Sequence, residues 1–358
     1  MDISLYGCRS CNFTCKYCFG PDKSKDEPFV LDRIAVLETL SRIGKKAGKS
    51  FVIWGGEPLL HWEPFKETVE FLQEQFPEKK INFSTNGFLL QKEEVRKYID
   101  DHKLRVQLSC DGVGQWVRSK YDPLSDDVVS EFLKNLALDD RLYINCVVHN
   151  QNPSVTDNIH HFLNWMKKWD LMDSDLDIRF TPFYESDLTP EWNFTGENLH
   201  KFIHEYETLF IRQLTGDRND KVLKHFRKDI MHRVNGWKLK KVKTEESNLC
   251  MKFFCGINNE SPHIDTKGKF VSCNLIDSGI DPRGKQKKVQ PEYCKGCEFE
   301  GAQGCQPCPS TDFADHCEFK KEWMRLNKRM SELKRKISTD KKDRAKLKQK
   351  RNFSIRRK

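Results

Sequence analysis

Cys11, Cys15 and Cys18 stand in the stretch CNFTCKYC at spacings of four and three residues, with an aromatic, Tyr17, just before the last. Three thiolates leave a four-coordinate ion incomplete. Two arrangements answer this. In one, Cys8 supplies the fourth ligand of a structural zinc. In the other, the three thiolates hold a [4Fe–4S] cluster with one iron open, because such clusters otherwise take four cysteines. An open iron can chelate a small molecule. Far along the chain, Cys250, Cys255, Cys273, Cys294, Cys297, Cys305, Cys308 and Cys317 form a second group. Eight thiols suffice for two four-thiolate sites, whether two zincs or two clusters. Cys110 and Cys146 are isolated in β-like runs and read as buried small apolar residues.

The elements that must position these groups alternate regularly. Six short β-like runs are DISLYG (2–7), FVIWG (51–55), INFSTNG (81–87), RVQLSCDG (105–112), LYINCVVH (142–149) and LDIRFTPF (176–183). Each is rich in β-branched or aromatic residues, and several end at glycine or a small polar residue. Amphipathic stretches such as LDRIAVLETLSRIGKKAGK, HWEPFKETVEFLQEQF and DNIHHFLNWMKKW lie between them and read as helices. Strands alternating with helices predict parallel pairing through right-handed crossovers. Six such units predict a barrel-like, incomplete α/β fold whose chemistry sits on loops at the C-terminal strand ends. The cysteine triplet follows strand one, GGEP (Gly55 to Pro58) follows strand two, STNG (Ser84 to Gly87) closes strand three, and SCDG (Ser109 to Gly112) closes strand four. Four such segments in phase with the strands are expected to converge on one rim. His160 and His161 fall on a helical stretch and read as surface residues.

From about residue 185 to 248 the pattern is helical, with Thr195 as the expected N-cap of TGENLHKFIHEYETLFI. Residues 250–317 are poor in periodic apolar runs, so metal ligation is expected to supply part of that segment's folding energy. Trp323, Leu326, Met330, Leu333 and Ile337 then form one helical seam, and past Ser338 the pattern dissolves into charge.

Composition narrows the classes. The chain has 358 residues, 14 cysteines and a formal net charge of +9. Residues 320–358 hold 18 Lys/Arg against 4 Asp/Glu, which leaves 44 basic and 49 acidic groups in the rest. The body is therefore mildly acidic and the tail strongly basic. The start MDISLYGCRS is neither basic nor followed by a long apolar run, so no secretory signal or transmembrane span is expected. A cytoplasmic, thiol-reducing setting disfavours a disulfide scaffold and favours metal or iron–sulfur ligation.

Taken in order, CNFTCKYC, GGEP, STNG and LSCDG resemble a radical S-adenosylmethionine (SAM) enzyme, over residues 1 to about 320. The resemblance implies that Cys11, Cys15 and Cys18 ligate a [4Fe–4S] cluster whose open iron binds SAM. Reduction would then cleave SAM to a 5′-deoxyadenosyl radical that abstracts hydrogen from a substrate. It further implies Tyr17 beside the adenine and Gly55, Gly56 and Glu57 toward the methionine amino group. Ser84 and Asn86 would lie at the strand-three polar position, and Ser109 and Asp111 near the ribose. A glycine pair permits close backbone approach, and a carboxylate suits an ammonium group. Asp111 has the alternative role of capping a turn. Cys8 is expected to be a bystander.

The later cysteines, with a Gly268 turn between Cys255 and Cys273, resemble the SPASM extension of peptide- and protein-modifying radical SAM enzymes. That resemblance implies two auxiliary [4Fe–4S] clusters, the first on Cys250, Cys255, Cys273 and Cys308 and the second on Cys294, Cys297, Cys305 and Cys317. The final spacings depart from the family's, which leaves the pairing open. The implied fold is α/β: a partial (β/α)6 TIM-like barrel (1–184), a helical linker (185–249), a small cysteine-rich iron–sulfur domain (250–319) and a basic C-terminal helix and tail (320–358).

The implied function is maturation of a residue in a peptide or protein by cross-linking, epimerisation or oxidation. Anaerobic sulfatase maturases place an Asp directly after the third of these later cysteines, whereas this chain has Asn274 there. Asp277 is the nearest candidate base, so formylglycine formation ranks below other peptide chemistry. The chain starts at its first strand, so a separate leader-peptide recognition protein or a direct peptide groove is expected. A flavodoxin or ferredoxin would serve as reductant. The basic tail admits an acidic leader peptide or nucleic acid, the latter less favoured because no base-stacking aromatics accompany it. Action on RNA or a small molecule, and a non-catalytic zinc-binding interaction module, are the competing readings.

Overall fold

The computed structural model describes residues 2–18, 29–43, 49–183, 190–216, 220–226, 263–269, 318 and 321–337. The eight later cysteines, Asn274, Asp277 and the tail past residue 337 lie outside the described residues.

The six expected strands all form: β1 (Asp2–Tyr6), β2 (Ser50–Trp54), β3 (Lys80–Thr85), β4 (Arg105–Ser109), β5 (Leu142–Val148) and β6 (Asp177–Pro182). Each pairs in parallel with the next, and a seventh strand, β7 (His263–Asp265), joins the free side of β1. The sheet order is β6-β5-β4-β3-β2-β1-β7, an open, partial α/β barrel. Sequence reasoning had no signal for β7. It is three residues long, lacks a two-residue alternation, and sits in a segment read for its cysteines.

Six helices follow the strands or extend the layer: α1 (Arg33–Ile43), α2 (Trp62–Gln75), α3 (Glu93–Asp101), α4 (Asp127–Leu138), α5 (Val155–Lys168) and α6 (Gly196–Thr215). Short α7 (Lys221–Lys224) and the long α8 (residues 321–337) complete the described set. Local chemistry sets the starts. Asp126 caps α4 by accepting the Val129 N–H, and Ser154 caps α5 by accepting that of Asp157. Thr195 occupies the N-cap position of α6 with extended backbone but makes no side-chain cap bond.

Alternation decides which strand face is covered. Ile3, Leu5, Phe51, Ile53, Phe83, Val106, Leu108, Ile144, Cys146 and Phe180 are buried in one core with Val69, Ile99, Leu133 and Phe162 from the helices. Their neighbours along the strands, including Ser84, Gln107, Ser109, Tyr143 and Asn145, stay half-buried on the opposite, concave face. Cys110 and Cys146 are fully buried, as expected of small apolar residues. Helix α8 docks on α6: Trp323 stacks on Phe202 at 5.6 Å, and Arg329 pairs with Glu207 at 2.8 Å. His160 is exposed, but His161 is half-buried and its Nε2 meets no hydrogen-bond partner among the described residues. No helix among the described residues is long and apolar enough to cross a membrane.

Candidate cluster loop and its braces

The cysteine loop leaves β1 and is stitched at once to the segment after β2. The Gly56 N–H donates to the Cys8 carbonyl at 2.7 Å, and the Glu57 N–H donates to that of Ser10 at 2.8 Å. Only glycine tolerates this approach. A Cβ on Gly55, at φ +152°, would lie 2.3 Å from the Cys8 oxygen, and one on Gly56 would lie 2.0 Å from the Ser10 oxygen. The close approach expected of this glycine pair is thus made to the cysteine loop. Ser10 Oγ also meets His61 Nε2 at 2.5 Å, so the loop is held at both backbone and side chain.

Glu57 is fully buried and spends both carboxylate oxygens inside the protein. Oε1 accepts from Thr85 Oγ1 at 2.9 Å and the Leu59 N–H at 3.2 Å, and Oε2 accepts the Asn86 N–H at 2.7 Å. Burial pushes its carboxyl up to about 7, against the pull of the three donors. Through these backbone and hydroxyl donors Glu57 joins the β2 loop to the β3 loop. Asn86 carries the brace on to the cysteines: its Nδ2 donates to Asn12 Oδ1 at 2.7 Å and lies 3.9 Å from Cys11 Sγ.

Apolar contacts hold the middle of the loop. Phe13 is buried and meets Phe88 and Tyr121 edge-on at 6.4 and 6.5 Å. The far end, at Tyr17, is gripped by a charged group. Tyr17 O–H donates to Asp111 Oδ2, Arg118 Nη1 donates to the Tyr17 oxygen at 2.9 Å, and Arg118 lies 3.7 Å from Asp111 Oδ1. Asp111 Oδ1 also accepts the Val147 N–H at 2.9 Å. Burial raises both the Tyr17 hydroxyl and the Asp111 carboxyl above their ordinary values. Burial opposes the charge on Arg118, but Tyr17, Asp111 and Cys15 around it hold its pKa above the usual guanidinium value. The Tyr17 ring packs against His149, Phe183 and Trp192 at 5.2 to 6.3 Å. His149 is fully buried, and burial lowers it to about 4, so it is neutral.

Arg118 and His149 were not singled out from sequence, because a lone arginine on a turn and a lone histidine after a strand carry no spacing. Ser84 and Ser109 lie half-buried on the concave face, opposite Gln107 and Asn145 in register.

The four cysteines of the first segment fall into two classes by burial. Cys11 and Cys15 are half-buried and Cys18 is exposed, whereas Cys8 is buried. Cys11 Sγ accepts the Phe13 N–H at 3.4 Å. Burial, with Glu57 adding to it, pushes the Cys8 thiol up to about 12, and its S–H donates to the Ser10 carbonyl at 3.8 Å. Cys8 packs among the buried residues of the core. The donor set that remains is three thiols on one braced loop, which fits three irons of a [4Fe–4S] cluster and leaves the fourth iron to a non-protein ligand. Among the described residues, no three His, Cys, Asp or Glu side chains converge closely enough to hold a single metal ion.

The radical SAM superfamily profile matches residues 5–146, from β1 through β5, so the chain carries a radical SAM domain. No curated protein sequence gives a significant match. Among solved structures, the fold is similar to native anSMEcpe with bound AdoMet: TM-score 0.59, 18% identity, 94% of this chain and 100% of that one covered. The same protein with AdoMet and the Cp18Cys peptide gives a TM-score of 0.58 at 17% identity. SuiB of Streptococcus suis bound to precursor peptide SuiA gives 0.55 at 15% identity, covering 84% of this chain and 70% of that one. At these identities the likeness is one of fold.

Proposed function

We propose that this chain uses its radical SAM domain to abstract hydrogen from a residue of a peptide or protein, in a maturation reaction that cross-links, epimerises or oxidises it. The observation that carries the reading is the cysteine loop. Three thiols are held at the C-terminal rim of an open α/β barrel, and a fourth nearby, Cys8, is withdrawn into the core. Structures sharing the fold were obtained with the Cp18Cys peptide and with precursor peptide SuiA, which supports a peptide as the substrate class.

When bound, the cluster and SAM would supply reductive cleavage of the sulfonium and with it the hydrogen-abstracting 5′-deoxyadenosyl radical. The chain's own part is positioning and exclusion. Cys11, Cys15 and Cys18 would hold the cluster, while Gly55, Gly56 and Glu57 lock the loop that carries them. Ser84, Asn86, Ser109 and Asp111 lie at or beside the strand ends where SAM would sit, and the Tyr17 ring closes that end with His149 and Trp192. The eight later cysteines would hold two auxiliary clusters, and a flavodoxin- or ferredoxin-type protein would deliver electrons.

Anaerobic preparation of the full chain tests the reading. Three [4Fe–4S] clusters correspond to about twelve iron and twelve sulfide per chain, one cluster to about four of each. With SAM and dithionite the protein should release 5′-deoxyadenosine, and Cys15→Ala should not. Zinc without sulfide, or undiminished 5′-deoxyadenosine from Cys15→Ala, would overturn it. Mass shifts in candidate peptides encoded beside the protein's own reading frame would then identify the residue modified.

A further inference from the structure

The turn that ends the cysteine loop is tied to a segment outside every expected site motif. After β4, a short 3-10 turn (Gly112–Val117) leaves Asp111 and is fixed at its start. Gly112 sits at φ +59°, where a Cβ would lie 2.4 Å from Asn158 Oδ1, and that same oxygen accepts the Val113 N–H at 3.1 Å. The turn delivers two groups to the loop side by side. The Val117 carbonyl accepts the Lys16 N–H at 3.2 Å, and the next residue, Arg118, donates to the Tyr17 oxygen at 2.9 Å. Lys16 and Tyr17 are the two residues between Cys15 and Cys18. Val117, Tyr17, Phe183 and Trp192 form one small buried cluster, with Cys15 packed against it.

A guanidinium present only to offset Asp111 would take the carboxylate as its nearest partner. Here Nη1 is nearer to Tyr17 than to Asp111, 2.9 against 3.7 Å, and Asp111 Oδ1 already has the Val147 N–H. The arginine's shortest commitment is to the cysteine loop. We infer that Arg118 is a positioning residue which, through Tyr17, holds the Cys15–Cys18 turn in its ligating arrangement. This rests on the reading that the three loop cysteines hold an iron–sulfur cluster.

The test compares wild type with Arg118→Gln, Arg118→Lys and Tyr17→Phe, each as the full chain loaded anaerobically. A Cys11/Cys15/Cys18→Ala triple variant serves as the blank that defines loop iron. The readouts are retention of loop iron against a chelator and the electron paramagnetic resonance line shape of the reduced cluster, with circular dichroism melting as the check on folding. Loss of a group supporting a metal ligand typically weakens retention about 10–100-fold. Arg118→Gln should fall in that range with an altered line shape, and Arg118→Lys should recover most of the loss. Tyr17→Phe should weaken retention in the same direction and decides the matter if Arg118→Gln fails to fold. Wild-type retention and line shape in a folded Arg118→Gln, or in Tyr17→Phe where that variant decides, would overturn the assignment alone. A wild-type chain holding no more iron than the blank would overturn the cluster reading, and this assignment with it.

Discussion

Glu57 accepts the backbone N–H of Asn86 at 2.7 Å, and through that bond the loop after β2 is tied to the loop after β3. The carboxylate is fully buried with its three donors, so it braces the rim from within.

Its buried state predicts a pH signature. Burial raises Glu57 from 4.5 to about 7, so the folded protein holds a proton there that the unfolded chain has lost. Its contribution to stability therefore falls as pH climbs from 4.5 to 7, by about 3 kcal/mol at one pKa unit per 1.36 kcal/mol. His149 runs the opposite way. Its value drops from 6.5 to about 4, so its contribution is lost as pH falls from 6.5 toward 4. Urea melts of Glu57→Gln and His149→Gln across pH 4–7.5 should show slopes displaced from wild type in opposite senses. Parallel pH profiles for all three proteins would contradict both assignments.

Gly56→Ala should be among the most damaging small substitutions in the chain, because its methyl would meet the Ser10 carbonyl at 2.0 Å and break the stitch to the cysteine loop. Gly196→Ala is the control. Gly196 also has positive φ, +51°, but nothing lies within 4 Å of its Cβ position, so the cost should be about 1–2 kcal/mol of backbone strain. Thermal melts should rank the two, with iron content falling only in Gly56→Ala.

Cys8 and Cys15 should part company under substitution. Cys8→Ala removes a buried thiol and should leave iron content and 5′-deoxyadenosine release at wild-type levels. Cys15→Ala should lose the loop cluster's share of the iron and abolish 5′-deoxyadenosine release. Loss of the loop cluster in Cys8→Ala would make Cys8 a ligand and return the site to a four-thiolate design.

Phe13 anchors the loop between Cys11 and Cys15 by packing on Phe88 and Tyr121. Phe13→Ala should cost about 3 kcal/mol, at the low end for a buried phenylalanine, read from a shift in the urea midpoint. Phe13→Leu should recover part of that, because volume near the loop is what is missing. Equal stability of the three proteins would show that the aromatic contacts do not hold the loop.

The six main strands were legible because each has a covered and an open face, so apolar residues alternate in a way that survives in one dimension. Phe51 and Ile53 against Val52 and Trp54 illustrate it. The cysteine loop was legible because its three thiols recur within eight residues of sequence. Partners that meet only in space were not. Asp111 and Tyr17 are 94 residues apart, and nothing near Arg118 in sequence marks it as the third member. Glu57 shows a subtler limit: its residue type signalled a polar contact, but only the fold shows it accepting from the Leu59 and Asn86 N–H groups and the Thr85 hydroxyl. His161 reads as a surface residue from its place on a helical stretch, whereas the fold leaves it half-buried.

The pairing of Ser4 with His263 sets a timetable for folding. Strand β1, which leads straight into the cysteine loop, keeps one unpaired edge until a strand made some 260 residues later arrives, and Gly268 must then seat against the Ala35 backbone of α1. Contacts of such separation form late, since the loop entropy must be overcome before they repay it. Until then β1 is an open edge, the kind of surface that recruits strands from other chains. Synthesis of the chain thus passes through a stage in which β1 to β6 can be in place while β1 is still open, and aggregation risk is concentrated in that interval.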